Sequence, residues 1–455
     1  MRVQGYHLPS VDPAVPSDLL RCDPVDIELP RLTAAQLGGA LRRARDSARE
    51  RLRRRSVDEL LALADRVVAN WLQPNSPQRG RAEALLPQAT GFSPAMVRHG
   101  LPLLLAPLRA EAIRALLAAE LGDHRRVDHL CGGRCAAGPP LIFHVLSGNI
   151  PGLGAAPILL SLMLKSAVLV KSAAGDPIFP ALLAQSIAEV DREIAACLLV
   201  TYWRGGDRSL EAVALDTADL VVASGGDATI AALASRTRGR FIGHGHRVSF
   251  AAIGRECLDG TRSASALAQA LAYDVSLWDQ QGCLSPQLCY VESGGAVAPP
   301  EFAAQLARAL GEYALSLPPR QLNFEEQAAV LRFRQQAEWR VGAELGLIAS
   351  PESTAWSISV EPDADFTPTC LNRCVRIKMV RDLSGLAAAL APHRCHLEAA
   401  GLAVDPSRLR NLGPMLAGCG VHRICRLGEM QRPPLSWHQG GRPRVADWVE
   451  WTVVE

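Results

Sequence analysis

The chain has 455 residues, 48% of them apolar and 21% charged, a globular mix that excludes collagen-like, coiled-coil and disordered classes. Its 48 basic and 46 acidic side chains leave a formal charge of +2, which supplies no sequence-wide field to attract nucleic acid or anionic lipid. At roughly 100–200 residues per domain, this length accommodates two or three domains.

Residues Met1 to Pro9 lack the continuous apolar core of a secretory signal, so a cytoplasmic location is expected. Residues 1 to about 30 are rich in Pro, Asp and Val and read as an extended surface segment. Helical spacing follows from Thr33 to about Trp71, where the basic run Leu41 to Arg55 is interleaved with acids and alanines as on a solvated helix face. A second helical stretch, Ser93 to Leu121, places Leu101, Leu104, Leu105, Leu108, Ile113, Leu116 and Leu117 to pack inward.

The character changes at Leu141. Leu141 to Leu146 reads as a buried strand running into the glycine-rich turn Ser147-Gly148-Asn149-Ile150-Pro151-Gly152-Leu153-Gly154 and a helix. The long apolar region Leu153 to Val170 is broken by Pro157, Ser161, Lys165 and Ser166, so it reads as a buried helix entering a strand, and no membrane span is expected. Strands at Ala167–Lys171, Leu198–Trp203 and Leu220–Ser224 alternate with helices, including one over Phe179 to Ala195, as in a parallel sheet covered on both faces. The turns after Asn149 and at Gly225-Gly226 both join a strand to a helix, and such a pair raises the odds of a dinucleotide site.

A second α/β region follows the strand Val248–Ile253. A helix over Ser263 to Tyr273 leads to Trp278-Asp279-Gln280-Gln281-Gly282-Cys283, and further strands are expected at 287–291, 357–360, 374–380 and 421–425. Helices are expected at 301–316, 324–345, 383–391 and 406–418, and the stretch Trp448 to Val454 is strand-like, suited to pairing with another sheet edge or a second subunit. Twelve cysteines without an export signal imply thiols. Cys131/Cys135 and Cys370/Cys374 lack the CxxC and histidine partners of zinc sites and read as small buried side chains, so no metal is expected. Cys283 differs from the others in its polar neighbours. Gly282 beside it permits close substrate approach, and a helix beginning just after it would lower its pKa.

The segments Ser147 to Gly152, Leu169-Val170-Lys171-Ser172, Trp278 to Gln287 and Pro433-Pro434-Leu435-Ser436-Trp437-His438 together resemble the acyl-CoA reductase family of bacterial bioluminescence, the LuxC type, a branch of the aldehyde dehydrogenase superfamily. The resemblance covers roughly residues 95 to 455. It implies an aldehyde-dehydrogenase-like α/β fold with a Rossmann-type cofactor domain. The corresponding division is a mostly helical region at 1–90, a nicotinamide-nucleotide domain at 91–260, a catalytic α/β domain at 261–430 and a C-terminal segment at 431–455 with an oligomerisation strand.

By the same resemblance Cys283 is the nucleophile, and Asn149 with the cysteine's backbone amide holds the oxyanion. Lys171 with Ser172 meets the adenosine ribose, and Gly225 and Gly226 lie where the diphosphate passes. Two departures refine this picture. Gly243 stands where hydrolytic relatives keep a water-activating glutamate, which favours reduction over release of acid; His244 and His246 are alternative proton sources. Ala174 stands where NAD-preferring members carry a ribose-binding glutamate, which favours NADPH over NADH. The implied activity is NADPH-dependent reduction of an acyl-CoA or protein-bound acyl thioester to an aldehyde, in a homo-oligomer working with an acyl carrier or acyl-protein synthetase. A CoA-acylating aldehyde dehydrogenase running oxidatively and an idle nucleotide-binding scaffold are the alternatives.

Overall fold

The computed structural model describes residues 1–9, 11, 15–340 and 346–455. The chain divides into two compact units, one made of residues 1–245, 434–437 and 442–455 and the other of residues 246–433 and 438–441.

The first unit opens with strands rather than an irregular segment. β1 (Arg2–Gln4), β2 (Ser17–Cys22) and β3 (Val25–Pro30) form a three-stranded sheet with β3 in the middle. The alternation Val25, Ile27, Leu29 buries one face of β3, and that period-two signal lies in plain view among the prolines and acids. Five helices follow: α1 (Ala34–Ser47), α2 (Val57–Leu72), α3 (Pro77–Thr90), α4 (Pro94–Leu105) and α5 (Ala110–Leu121). Thr33 and Ser56 each close a capping box with the residue three positions on, so α1 and α2 start where their sequences dictate.

Beyond β4 (Arg134–Ala137), the core of this unit is a parallel sheet. Its strands are β5 (Leu141–Val145), β6 (Ala167–Lys171), β7 (Leu198–Thr201), β8 (Leu220–Ser224) and β9 (Arg240–His244), in the order β7-β6-β5-β8-β9. The crossovers contain α6 (Ala155–Met163), α7 (Phe179–Val190) with the short α8 (Arg192–Ala195), α9 (Arg208–Thr217) and α10 (Asp227–Ala234). The single helix expected over 179–195 is split because Asp191 leaves helical geometry and its carboxylate accepts the amides of Glu193 and Ile194, starting a new helix. Strand order reverses beside β5, so the crevice beyond the carboxyl ends of β5 and β8 is the place where doubly wound sheets take ligands.

The second unit holds a seven-stranded sheet of β10 (Val248–Ile253), β11 (Pro286–Glu292), β12 (Leu347–Ala349), β13 (Ser357–Glu361), β14 (Cys374–Val380), β15 (Leu397–Ala403) and β16 (Arg423–Arg426). The order is β12-β13-β14-β11-β10-β15-β16, and only the edge strand β12 runs antiparallel to its neighbour. Helices α11 (Thr261–Ser276) and α12 (Pro299–Ser316) pack on one face through Leu271, Val275, Phe302 and Leu306, all fully buried. Full burial of each such side chain contributes about 1.5–3 kcal/mol. The helix α13 spans Phe324–Arg340, and its expected extension to 345 lies outside the described residues. The short α14 (Leu386–Leu390) and α15 (Pro406–Gly418) complete the unit.

The last strand, β17 (Glu450–Val453), belongs to the first unit, where it pairs antiparallel with β4 of the same chain. Among the described residues no helix is long and apolar enough to cross a membrane.

Candidate active site

In the first unit, five of the residues singled out by sequence follow the carboxyl ends of three adjacent strands. Asn149 lies in the turn after β5, Lys171 ends β6 with Ser172 next to it, and Gly225 and Gly226 join β8 to α10. The turn after β5 can take this path because two glycines meet in it. A Cβ on Gly148 would stand 2.8 Å from the Gly175 backbone, and one on Gly175 would stand 2.3 Å from the Gly148 carbonyl oxygen.

Asp176, fully buried, ties the same turn to α7. It accepts the amide of Gly152 at 3.4 Å and that of Phe179 at 3.0 Å, and burial pushes its carboxyl up to about 6 against these bonds. Lys171 is half-buried, with its ammonium 5.6 Å from the Trp203 ring centre and 6.0 Å from that of Tyr202. Burial lowers its pKa, partly offset by Glu211. Ser172 is buried, its amide donating to the Thr201 carbonyl at 2.9 Å. Gly226 caps α10 and has open space around the position of a Cβ, so the amides that start this helix are approachable.

Gly243 lies inside β9, paired with Ala223 of β8. A Cβ at Gly243 would stand 2.5 Å from Ile230 Cγ2 of α10, so the room for a side chain is already taken. His244 ends β9 in this unit, whereas His246 belongs to the second unit, its ring 6.2 Å from that of His396.

Cys283 lies between α11 and β11 in the second unit and is half-buried. No helix follows it. The residues after it turn directly into β11, all seven of whose residues are buried, so the expected helix dipole is not at this thiol. The loop is instead shaped ahead of the cysteine. Trp278, Asp279 and Gln280 are successive non-glycine residues with φ of 56°, 49° and 64°, a left-handed turn costing about 1–2 kcal/mol per residue.

Buried side chains hold this turn in place. Asp279 is paired with Arg373, Nε to Oδ1 at 2.7 Å and Nη2 to Oδ1 at 2.6 Å, with both side chains almost entirely out of solvent. The Arg320 amide donates to the other Asp279 oxygen at 2.9 Å. Burial raises the Asp279 pKa while Arg373 opposes the rise. Gln280 donates to the carbonyls of Pro286 at 2.8 Å and Cys374 at 3.0 Å, and Gln281 donates to Asn372 Oδ1 at 3.0 Å.

Asn372 and Arg373 belong to a second left-handed turn, Leu371-Asn372-Arg373, with φ of 63°, 55° and 59°. It immediately precedes β14, the strand beside β11, and the Asn372 amide donates to the Asp279 carbonyl at 3.2 Å. The two turns therefore lock into each other. A pocket of about 230 Å³ opens beside them, lined in part by Asp279, Arg320, Thr354 and Asn372.

The cysteine's own backbone is pinned from the other side. Ser249 Oγ of β10 donates to the Cys283 carbonyl at 2.6 Å and accepts the Ala399 amide of β15 at 3.0 Å. Ser285 accepts from Gln431, which also donates to the Asp274 carbonyl at 3.0 Å. The Asp274 carboxylate in α11 accepts the amides of Gly428 at 2.6 Å and Met430 at 3.1 Å, and burial pushes its pKa up to about 7. Asp274, Asp279, Arg373, Asn372 and Gln431 are absent from the sequence-derived site, since a buried pair 94 residues apart leaves no periodicity or short motif to read.

The two sheets and their strand orders make an aldehyde-dehydrogenase-like fold, as the likeness to solved structures shows. The NADP-dependent glyceraldehyde-3-phosphate dehydrogenase from Bacillus halodurans C-125, complexed with NADP, superposes with a TM-score of 0.73 at 14% identity, covering 97% of this chain and 95% of that one. An NAD-dependent aldehyde dehydrogenase from Burkholderia multivorans gives 0.72 at 15% identity over 98% and 89% of the two chains. The chain belongs to the family described as Acyl-CoA reductase (LuxC), whose model matches residues 52–446. Among curated relatives, the long-chain acyl-protein thioester reductase 2 of Photobacterium leiognathi is 27% identical over 63% of this chain and 58% of its own length. The long-chain acyl-protein thioester reductase of Aliivibrio fischeri is 29% identical over 53% of this chain and 49% of its own length. The chain thus spans about half the length of these curated relatives.

Proposed function

We propose that this protein reduces an acyl thioester to an aldehyde through an acyl group carried on Cys283. The observation that carries the reading is the construction of the cysteine loop. A half-buried thiol sits on a backbone that interlocking turns and Ser249 hold still, at the expense of consecutive left-handed residues. Strained backbone maintained by a dedicated set of buried partners is characteristic of reacting groups.

In this reading the Cys283 thiolate attacks the thioester carbonyl, the carrier thiol leaves, and a thioester to the enzyme remains. Asn149, with the cysteine amide, donates to the oxyanion at the tetrahedral stages. Lys171 and the amides at Gly225 and Gly226, with Ser172 supporting the strand end, hold a nicotinamide dinucleotide; the glycine-opened start of α10 and the cation at the end of β6 suit its diphosphate and ribose. When bound, that cofactor supplies the hydride that takes the acyl carbon to the aldehyde level. Cys283 then departs as thiolate. Gly243 offers no carboxylate to activate water against the acyl-enzyme, which supports reduction rather than hydrolysis. Ala174 supports NADPH as the donor.

The names of the relatives support a long-chain acyl donor carried on a protein, with acyl-CoA as the small-molecule equivalent. Incubation with a long-chain acyl-CoA and NADPH is expected to yield fatty aldehyde and oxidised cofactor in equal amounts. Equal aldehyde from wild type and Cys283→Ala would overturn the reading.

A further inference from the structure

Cys370 and Cys374 bracket the left-handed turn that buttresses the Cys283 loop, and neither thiol has a part in the mechanism above. Cys374 is buried in a small apolar cluster with Val330 and Phe333, and half-buried Cys370 packs against that cluster. The Cys374 amide donates to the Leu371 carbonyl at 3.1 Å and the Asn372 side chain to the Cys370 carbonyl at 3.3 Å, so the five residues fold back on themselves and place both cysteines at one small apolar cluster, with the Cys370 thiol 4.0 Å from the Leu371 carbonyl. The neighbouring Cys374, with help from Arg376 and Arg332 and against burial, draws the Cys370 pKa down. Cys370 together with burial pushes Cys374 up. Cys370, the more exposed of the two, is suited to attack and the buried Cys374 to resolve.

We propose that Cys370 and Cys374 are an oxidisable dithiol, closed to a disulfide by a hydroperoxide, and that closure resets the turn holding the Cys283 loop. The Cys370 thiolate attacks the distal peroxide oxygen, the O–O bond breaks, and the alkoxide takes a proton to leave as alcohol. The Cys374 sulfur then displaces hydroxide from the Cys370 sulfenic acid, and the hydroxide takes the Cys374 proton to form water. Two thiols lose two electrons and the peroxide gains them.

Closure draws the two sulfurs to the covalent separation of about 2.05 Å, a change the short turn must absorb. The residues inside that turn are the ones that grip the catalytic loop: Arg373 on Asp279, Asn372 on Gln281, and the Cys374 carbonyl on Gln280. A change at 370–374 therefore reaches Cys283 through direct hydrogen bonds. The consequence for catalysis rests on the proposed role of Cys283, whereas formation of the disulfide does not.

The test uses the full chain treated with hydrogen peroxide, alkylated and digested with trypsin. Cleavage after Arg373 separates Cys370 from Cys374, so the expected product is two peptides that stay linked until reduced. Alkylation of Cys283 by iodoacetamide, followed by mass spectrometry, should change by at least about tenfold on closure, the equivalent of one unit of thiol pKa, and return with dithiothreitol. Cys370→Ser, with Cys374→Ala as a second variant, should keep the reduced rate and lose the reversible response. Absence of the linked peptides overturns the proposal, as does a linked form whose Cys283 rate stays within about twofold of the reduced protein. Linked peptides and a responsive Cys283 in a protein that makes no aldehyde would sink the reductase reading and leave the dithiol standing.

Discussion

The turn after β5 and the turn before β11 are built by opposite means. The first is shaped by missing side chains: Gly148 and Gly175 let two stretches of backbone touch, and the buried Asp176 fastens the result. The second contains Trp278, Asp279 and Gln280, of which only the Asp tolerates a left-handed backbone with any ease, and is held in shape by Arg373, Arg320 and Asn372. A turn made by glycine tolerates loss of its neighbours, because its conformation is intrinsically open to it. A turn made by imposed partners depends on each of them.

The largest expected effect separates the turns by chemistry. Cys283→Ala should lower aldehyde formation by at least about ten-thousandfold, against about a hundred- to a thousandfold for Asn149→Ala, as read from kcat with acyl-CoA. A smaller loss for cysteine than for asparagine would invert their proposed roles. Next in size, Arg373→Ala leaves the Asp279 carboxylate buried without its partner. Urea unfolding should show a loss of about 3–5 kcal/mol, together with an altered Cys283 alkylation rate, and unchanged stability would mean that Asp279 does not depend on the pair.

Asp274 makes the dependence visible through pH. Its pKa is about 7 in the folded protein against 3.8 ordinarily, so between these values the folded state holds the proton that the unfolded chain has lost. The stabilisation is complete below the lower value and disappears as pH rises through the upper one. Wild type should lose about 1.4 kcal/mol per pH unit across that window relative to Asp274→Asn, measured by urea midpoints at fixed ionic strength. Parallel curves for the two proteins would contradict the burial of this carboxyl. The smallest effect belongs to the glycine turn: Gly148→Ala meets the Gly175 backbone and should cost about 1–3 kcal/mol with little change at Cys283.

The same contrast explains what could be read in advance. β6 and β8 lie where their apolar runs place them, because strands buried on both faces need mostly Val, Ile and Leu, whereas β14 is buried with Arg376 and Lys378 inside it only because Glu361 of β13 pairs with both. β15 was missed because Gly401 interrupts it, and the reason is a neighbour: a Cβ there would stand 2.4 Å from the Met430 sulfur. Similarly, the glycine-rich turn and the cysteine stood out as residues, while Arg373 and Asn372 were hidden because their importance lies in contacts across the sheet. The resemblance alone assigns Gly243 the place of a missing carboxylate, and the Ile230 side chain that fills the space beside it leaves no mark in the sequence, so Gly243→Glu is expected to disturb α10 before it can raise hydrolysis.

The most direct test is a single turnover followed by mass spectrometry of the intact protein. Mixed with a long-chain acyl-CoA in the absence of cofactor, the protein should gain one acyl mass, located on Cys283. On addition of NADPH that mass should vanish at the rate at which NADPH is oxidised and aldehyde appears. An acyl group on another residue, or one that leaves Cys283 as free acid at a rate indifferent to NADPH, would contradict the proposed chemistry.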